Sequence, residues 1–584
     1  MIRIIIKTAC QKRKRNFFPC SSTIAAALLT GGLGWALTSC NDFLDILPMN
    51  DVVLENFWTE KADVTSVRNS CYEALANQDA MNRIGIWGEL RSDNLLAGAN
   101  IPNDVSEVLK ENVLSSNPYC NWSKLYQCIN RCNIVCHYAP QVQNIDPNYS
   151  EAEMKADVAE VSALRALCYF YLIRTFRDVP YTREPSIDDT QNYILPATKF
   201  EDVLDSLITD LESVKDDAVR RFELDRVNGS YYSFPEVNSS RITRVAIWAE
   251  LADLYLWKQD WDNAIKYADM VIDFKRQQYL ELKDRVGDIK EIELIDSVPL
   301  LLECPDGSGD RGGNAYNAIF GDGNSFESLF ELYFSSSQNQ ANAWVRDYYG
   351  SNDTPNGRLR ANALTFGTSI QDVIEGKVTL YKPTDGRFFE TFRVEGSNLN
   401  VGKYVNSSVG YQTKSVTSEK NLNLSTNMRG NNASPWIFYR LTDMLLIKAE
   451  ALVKRNHEGD MDAAFNMVNI VNKRANNLTQ TLKKEEYTNS ETAMENLVFD
   501  ERRREFMFEG KRWYDLVRRS RRDGNTAYLV AAVKMKHDNA NAIGIRLADL
   551  NMIYFPYAKS ELKVNPLLQQ NSAYTNGEDE EYSR

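Results

Sequence analysis

The sequence predicts a mostly α-helical protein, in which paired helices form a scaffold and a loop-rich region with short strands separates two parts of that scaffold. Apolar residues recur at helical spacing in eight segments: Asp63–Asn77, Trp122–Tyr138, Ala152–Phe176, Phe200–Asp217, Arg244–Asp273, Trp436–Lys454, Met461–Ala475 and Met494–Arg518. Residues 277–435 are instead rich in Gly, Asn, Ser and Asp, with β-prone runs at Ser328–Phe334 and Arg387–Val394. We therefore expect a scaffold over about 50–275 and 436–520, with a loop-rich insert over about 277–435.

The segment Arg244–Asp273 predicts how the helices pair. Its first half matches the W-x2-L-G-x2-Y pattern of a tetratricopeptide helix, with Ala in place of Gly, at Trp248, Leu251, Ala252 and Tyr255. Ala264 supplies the small residue expected in the second helix, and small residues at both places let the two helices approach closely. Weaker echoes at Arg165–Tyr169 and Lys448–Leu452 predict three or four such pairs, although a single match is also compatible with an ordinary helical hairpin.

The N-terminus has the pattern of an export signal. A basic stretch from Lys7 to Arg15 precedes an apolar, glycine-interrupted segment, Ile24–Leu37, which is too short for a convincing membrane-spanning helix. The sequence Leu37-Thr38-Ser39-Cys40 resembles a bacterial lipobox, which implies cleavage before Cys40 and acylation of that residue. The alternative is an ordinary signal peptide with a chance cysteine. We expect residues 1–39 to be the signal peptide and residues 40–584 to be the mature domain.

The net charge of the mature chain bears on which classes of partner it can bind. The full chain has 67 basic and 80 acidic side chains, and residues 1–39 contain six of the basic ones and no acidic ones. The mature chain is therefore strongly acidic, with 61 basic against 80 acidic side chains, which argues against nucleic acid or anionic lipid as a partner.

Several patterns could carry chemistry, and for each the simpler structural interpretation is favoured. Cys128, Cys132 and Cys136 lie on one helical face beside His137, but three collinear thiols do not converge on a tetrahedral ion, so we expect core-facing cysteines and no metal. Asp306–Asp310 resembles part of a calcium loop, but a simple turn is favoured. The basic run in Glu501–Arg504 is interleaved with acids, which predicts an ion-paired helix surface.

Four segments together resemble one protein family: Asn41–Asp45 after the lipobox, Ala163–Pro180, Glu501–Arg518 and Ile553–Pro566. They are similar to the SusD/RagB family of nutrient-binding outer-membrane lipoproteins of Bacteroidetes. The resemblance implies a lipid-anchored protein on the cell exterior that delivers oligosaccharides, or in some members peptides, to a SusC-like TonB-dependent transporter. One departure is Ile553–Tyr557, which is aromatic where a more aliphatic run is expected.

The resemblance also implies which residues form the ligand site. Two segments combine aromatic faces with amides and carboxylates, Trp87–Asn94 and Asn342–Tyr349. They predict ligand contacts from Trp87, Asp93, Asn94, Trp344 and Tyr348, although each of these residues could instead pack in the core.

No local pattern picks out catalytic residues, and only three histidines, His137, His457 and His537, are available for triads or zinc sites. We therefore expect a binding protein without a cofactor. A surface glycoside hydrolase and a purely structural tetratricopeptide adaptor remain as alternatives.

Overall fold

The computed structural model describes residues 57–188, 193–222, 237–305, 312–335, 340–362, 384–395, 398–412, 423–430 and 433–575, with a few positions between 371 and 382. The predicted signal peptide, Cys40 and the Asp306–Asp310 turn lie outside these residues. In the part of the chain that is described, no helix is both long enough and apolar enough to cross a membrane.

Helices dominate the fold and make up 56% of the structure, which confirms the predicted fold class. The α-helices are α1 Lys61–Leu75, α2 Gln78–Gly85, α3 Asn103–Leu109, α4 Ser123–Ile145, α5 Glu151–Phe176, α6 Phe200–Val214, α7 Val237–Ser240, α8 Arg244–Lys258, α9 Trp261–Val286, α10 Asn314–Tyr316, α11 Arg387–Thr391, α12 Leu441–Arg455, α13 Asp460–Ala475, α14 Glu491–Phe506, α15 Arg512–Asp523, α16 Ala527–Val533, α17 Ala540–Arg546 and α18 Lys559–Val564. The described residues also include three short π-helical segments, which we call π-turns, at Ile86–Leu90, Asn317–Asp322 and Val345–Tyr349.

The starts of the long scaffold helices are fixed by capping residues. Ser150 and Glu153 form a capping box at the start of α5, so that two otherwise unpaired backbone N–H groups are satisfied. The side chains of Thr243 and Asp260 accept hydrogen bonds from backbone N–H groups in the first turns of α8 and α9.

The long helices pack side by side in a continuous series. Helix α5 packs on α6, α8 on α9 and α12 on α13, and these pairs are joined by contacts of α6 with α8 and of α9 with α12. The motif residues at Leu251, Ala252 and Ala264 are fully buried where α8 meets α9. The predicted pairing of these helices, and of the two weaker echoes on α5 and α12, is confirmed.

A polar contact extends the α8–α9 pair to α6. The ring of Tyr255 stacks on that of Tyr267 with centroids 5.7 Å apart. Both hydroxyls donate to Oε1 of Glu212 on α6, at 2.8 and 2.7 Å. The tyrosine of the tetratricopeptide pattern therefore helps to link the scaffold helices α6, α8 and α9.

Short antiparallel strands occupy the loop-rich region and a few turns. The strands are β1 Leu95–Ala97, β2 Val179–Pro180, β3 Ala197–Thr198, β4 Ile292–Ile295, β5 Val298–Leu301, β6 Ser328–Leu332, β7 Leu359–Ala361, β8 Phe392–Glu395, β9 Asn398–Val401, β10 Asn406–Gly410, β11 Ser425–Met428 and β12 Trp436–Arg440. One sheet has four strands in the order β1-β7-β9-β8, and the other pairs are β2–β3, β4–β5, β6–β12 and β10–β11. The β6–β12 pair connects the loop-rich region to the scaffold, because β6 belongs to the loop-rich region and β12 continues directly into the scaffold helix α12.

A buried ionic cluster makes a second connection between the loop-rich region and the scaffold. Arg440 contacts Glu505 and Glu509 at 2.6 and 2.9 Å. Glu509 also accepts from Lys403 at 2.9 Å, and Arg387 contacts Glu501 at 2.8 Å. Removing one partner of such a pair leaves an uncompensated buried charge, which costs about 3–5 kcal/mol.

This cluster corrects one prediction about Glu501–Arg504. The ion pairing is confirmed, since Arg502 contacts Asp515 at 2.9 Å and Arg504 contacts Glu501 at 2.7 Å. The expected exposed helix surface is wrong, because Glu501 and Arg502 are buried. The interleaved charges face the core, where the acids and bases of neighbouring elements neutralise one another.

Candidate functional site

The first predicted segment, Trp87–Asn94, begins in the π-turn Ile86–Leu90 and is buried throughout. The Trp87 indole Nε1 donates to the Tyr119 carbonyl oxygen at 2.8 Å, and its ring meets Phe176 edge to face at 5.3 Å. Its aromatic faces are therefore covered by protein.

Asp93 and Asn94 of that segment face helix α14 and the first residue of α15. Arg512 donates to the two carboxylate oxygens of Asp93 at 2.9 and 3.1 Å, and Arg503 lies 3.0 Å from the same carboxylate. Burial alone would raise the pKa of Asp93, but the charges of the two arginines outweigh it and lower the pKa to about 2. Asn94 accepts from Arg503 at 2.9 Å and donates to Glu89 at 2.8 Å.

The second predicted segment contains the π-turn Val345–Tyr349. Trp344 is fully buried, and Tyr348 is 3% exposed. The hydroxyl of Tyr348 lies 3.0 Å from that of Tyr119, the residue whose carbonyl binds Trp87. The structure thus brings both predicted segments together, but it covers their aromatic rings with protein. Ligand contact by Trp87, Asp93, Asn94, Trp344 and Tyr348 stays a prediction, and Ala343 and Arg346, beside Trp344 in the chain, line a surface that is open to a ligand.

That surface is an open cleft of about 580 Å³, which we call the Tyr333 cleft. It is lined by Asn69, Tyr72, Glu73, Ala76, Asn77, Gln78, Ser240, Arg241, Leu332, Tyr333, Phe334, Gln340, Ala341, Ala343 and Arg346. Helix α1 supplies one wall, and the end of β6 together with the start of the third π-turn supplies the other. Tyr333 is 46% exposed, so its ring offers a flat face to solvent.

Glu160, buried on α5, holds two of the lining side chains. The Tyr72 hydroxyl donates to the Glu160 carboxylate and accepts from the backbone N–H of Ile242 at 2.9 Å. Arg241 Nε donates to Glu160 at 2.9 Å. Burial and the neighbouring carboxylate raise the pKa of Tyr72 well above its usual value, so its hydroxyl stays protonated.

The remaining lining groups suit an uncharged polar ligand. Arg346 is paired with Asp347 at 2.7 Å, and Gln78 donates to Asp347 at 3.3 Å. Amides at Asn69 and Gln340 complete a mixture of an aromatic face, hydrogen-bonding groups and few unpaired charges. A sugar ring presents CH-rich faces and hydroxyl edges that match such a surface.

Sequence reasoning missed Tyr333, although it identified Ser328–Phe334 as β-prone. Residues 328–332 are buried on both faces of β6, so no alternation of apolar and polar residues marks the position at which the chain becomes exposed. The indication available in the sequence is an aromatic residue, Tyr333, near the end of the predicted β-prone run Ser328–Phe334.

The cysteine cluster lies in the core. Cys128 and Cys132 are fully buried and Cys136 is half-buried beside Ser162, so the core-facing prediction is confirmed for the first two. Within the described ranges, no group of three or more His, Cys, Asp or Glu side chains could hold a metal ion.

Comparison with known proteins decides the family. A family model described as "SusD family" matches residues 313–574, and one described as "Starch-binding associating with outer membrane" matches residues 42–256. The chain belongs to the SusD family. Tyr72 and Arg241 lie in one matched region and Tyr333 and Arg346 in the other, so the Tyr333 cleft forms where the two regions meet.

Individual relatives support the assignment of this chain to the SusD family. It is 26% identical over 505 residues to SusD-like protein P38 of Formosa agariphila, covering 82% of this chain and 88% of the relative. It is 25% identical over 572 residues to SusD-like protein P25 of the same organism, covering 92% and 96%. A SusD superfamily crystal structure from Bacteroides thetaiotaomicron shares the fold, with a TM-score of 0.60, 20% identity and coverage of 88% of this chain and 99% of that one.

Proposed function

We propose that this chain is a lipid-anchored protein on the outer face of the outer membrane, which captures nutrient oligosaccharides in the Tyr333 cleft and delivers them to a SusC-like TonB-dependent transporter. The family description as starch-binding and outer-membrane-associated supports nutrient binding and that location. The lipobox at Cys40 supports the anchor, and the transporter follows from the family resemblance.

The observation that carries the binding role is the exposed ring of Tyr333 among amide side chains. Tyr333 follows a buried strand and is 46% exposed. Its apolar ring surface therefore stays in contact with water unless a ligand covers it. Stacking of a sugar on such a face supplies about 1 kcal/mol or more, and the amides of Asn69 and Gln340 can bind the hydroxyl edges.

The same lining favours capture over hydrolysis. Glycoside hydrolysis ordinarily uses two carboxyl groups flanking the scissile bond. Among the described residues that line the cleft, the only carboxylic acid is Glu73. One carboxylate can accept hydrogen bonds from sugar hydroxyls, but it does not supply the acid–base pair.

The proposal is tested by calorimetry of the mature protein against a panel of neutral oligosaccharides and peptides, with chromatography of each mixture. We expect at least one oligosaccharide to bind with a roughly micromolar Kd, which corresponds to a binding free energy of about −8 kcal/mol. The affinity should be modest because a delivery protein must also release its cargo. The chromatogram should show unchanged ligand. Turnover that persists after rigorous purification would place the chain among enzymes, and binding of peptides alone would favour the peptide-capturing alternative.

A further inference from the structure

A second surface of the scaffold has a charge opposite to that of the chain as a whole. The C-terminal half of α9 and the residues after α6 enclose an open groove of about 480 Å³, which we call the arginine groove. It is lined by Arg220, Arg221, Phe274, Gln277, Gln278, Glu281 and Arg285. Three arginines face one glutamate there, whereas the chain carries a net charge of −13.

Pairing leaves two of these arginines with their charge uncompensated. Arg221 is bound to Glu281 at 2.8 Å. The guanidinium carbon of Arg220 lies 5.4 Å from the ring centre of Phe274, which orients it without neutralising it. Among the described residues, neither Arg220 nor Arg285 has a carboxylate within salt-bridge distance.

Arg276 lies on α9, as Arg285 does, but it is paired with a carboxylate. Its guanidinium donates to Asp273 at 2.7 Å and to the Ser297 carbonyl oxygen at 2.8 Å. Arg276 is half-buried and has partners within the protein, whereas Arg220 and Arg285 are exposed.

The position of the groove relates it to the Tyr333 cleft. A smaller cavity shares Arg220, Arg221 and Phe274 with the groove and extends to Asn238 and Ser239 on α7. The next residue of α7, Ser240, lines the Tyr333 cleft. The smaller cavity therefore lies between the groove and α7, a helix of four residues that also borders the Tyr333 cleft.

We propose that the arginine groove binds the carboxylate or sulfate groups of an acidic oligosaccharide, an inference that rests on the proposed function. A guanidinium presents parallel N–H groups that match two oxygens of a carboxylate or sulfate. The half-buried ring of Phe274 and the exposed amide of Gln277 supply the apolar face and the hydrogen-bonding edge that a sugar ring also needs. The groove thereby makes the protein select acidic oligomers over neutral ones.

The test compares three hexasaccharides: an oligogalacturonate with carboxylates only, a κ-carrageenan oligomer with sulfates only, and the carboxyl-reduced, neutral form of the oligogalacturonate. The wild-type mature protein should bind at least one acidic probe roughly tenfold more tightly than the neutral one at low salt, and high salt should erase the difference. The two acidic arms identify which anion is preferred.

The Arg220→Ala/Arg285→Ala double variant should lose this preference, while Arg276→Ala, the matched control, keeps it. Both replaced side chains are exposed, so the melting temperature of the double variant should equal that of the wild type. A wild-type protein without preference, or a double variant that retains it, overturns the inference. If Tyr333→Ala still abolishes binding in that case, the proposed function survives. If none of the three probes binds, the inference fails, and the oligosaccharide panel decides the proposed function separately.

Discussion

The indole ring of Trp344 packs directly against Gly85, at a separation that leaves no room for a side chain. A Cβ built on Gly85 would lie 2.2 Å from Cδ2 of Trp344. Gly85→Ala should therefore destabilise the protein by roughly 1–3 kcal/mol through overpacking, as measured by chemical denaturation. Trp344→Ala should cost about 3–5 kcal/mol, because it removes a fully buried indole.

Gly544 provides the matched control for this prediction. A Cβ there would lie 3.6 Å from its nearest neighbour, an ordinary van der Waals separation, and the residue lies within helix α17. Gly544→Ala should be neutral or slightly stabilising. Equal stability of the two alanine variants would contradict the packing of Trp344 described above.

Glu331 predicts a pH dependence of stability. It lies buried on β6 and accepts from the Asn324 backbone N–H at 2.6 Å and from the Ser328 hydroxyl at 2.8 Å, both of which are neutral. Burial raises its pKa from 4.5 to about 7. Between these values the folded state holds a proton that the unfolded state has lost, so this group's contribution to stability falls as pH rises and levels off above about 7.

The comparison of wild type with Glu331→Gln isolates that contribution. Glutamine stays uncharged at all pH values, so the free energy of unfolding of the wild type should drop relative to that of the variant by up to about 3 kcal/mol between roughly pH 5 and pH 8. Denaturation curves at several pH values measure it. A constant difference would mean that Glu331 is already ionised in the folded state.

Cys40 is expected to anchor the protein. Cys40→Ala should move the protein out of the membrane fraction or leave it as an unprocessed precursor, because two or three acyl chains at about 0.8 kcal/mol per buried methylene supply the attachment. Fractionation with mass spectrometry of the N-terminus measures both outcomes. An acylated, membrane-bound Cys40→Ala protein would contradict the assignment.

The cysteine cluster should be free of metal. Purified mature protein should contain less than one equivalent of zinc or iron by elemental analysis, because Cys128 and Cys132 pack within the core as apolar groups. A firmly bound equivalent that is lost in Cys132→Ser would contradict this expectation.

The scaffold was predictable because its determinants are local. Trp248, Leu251, Ala252 and Tyr255 lie within two turns of one helix, and the pattern specifies both the helix and the face that its partner covers. Capping residues such as Ser150 mark where a helix begins from only a few neighbouring positions.

The site was less predictable, because burial there depends on distant segments. The sequence around Trp344 shows an aromatic residue among polar ones, and nothing nearby shows that Gly85, far earlier in the chain, leaves space for its ring. Asp93 likewise has the chemistry of a binding residue, but its partner Arg512 is the first residue of helix α15, which lies far away in the sequence. The residues next to Tyr333 in the sequence do not indicate whether its side chain is buried or exposed.

The most direct test of the account is binding calorimetry of wild type, Tyr333→Ala and Tyr193→Ala against the tightest neutral oligosaccharide of the panel. Tyr193 is 53% exposed and lies outside the cleft lining, so it controls for loss of an exposed tyrosine. Tyr333→Ala should weaken binding about tenfold or more, with an unchanged melting temperature, and Tyr193→Ala should bind like the wild type. Wild-type affinity in Tyr333→Ala, with the protein fully folded, would contradict capture at this cleft.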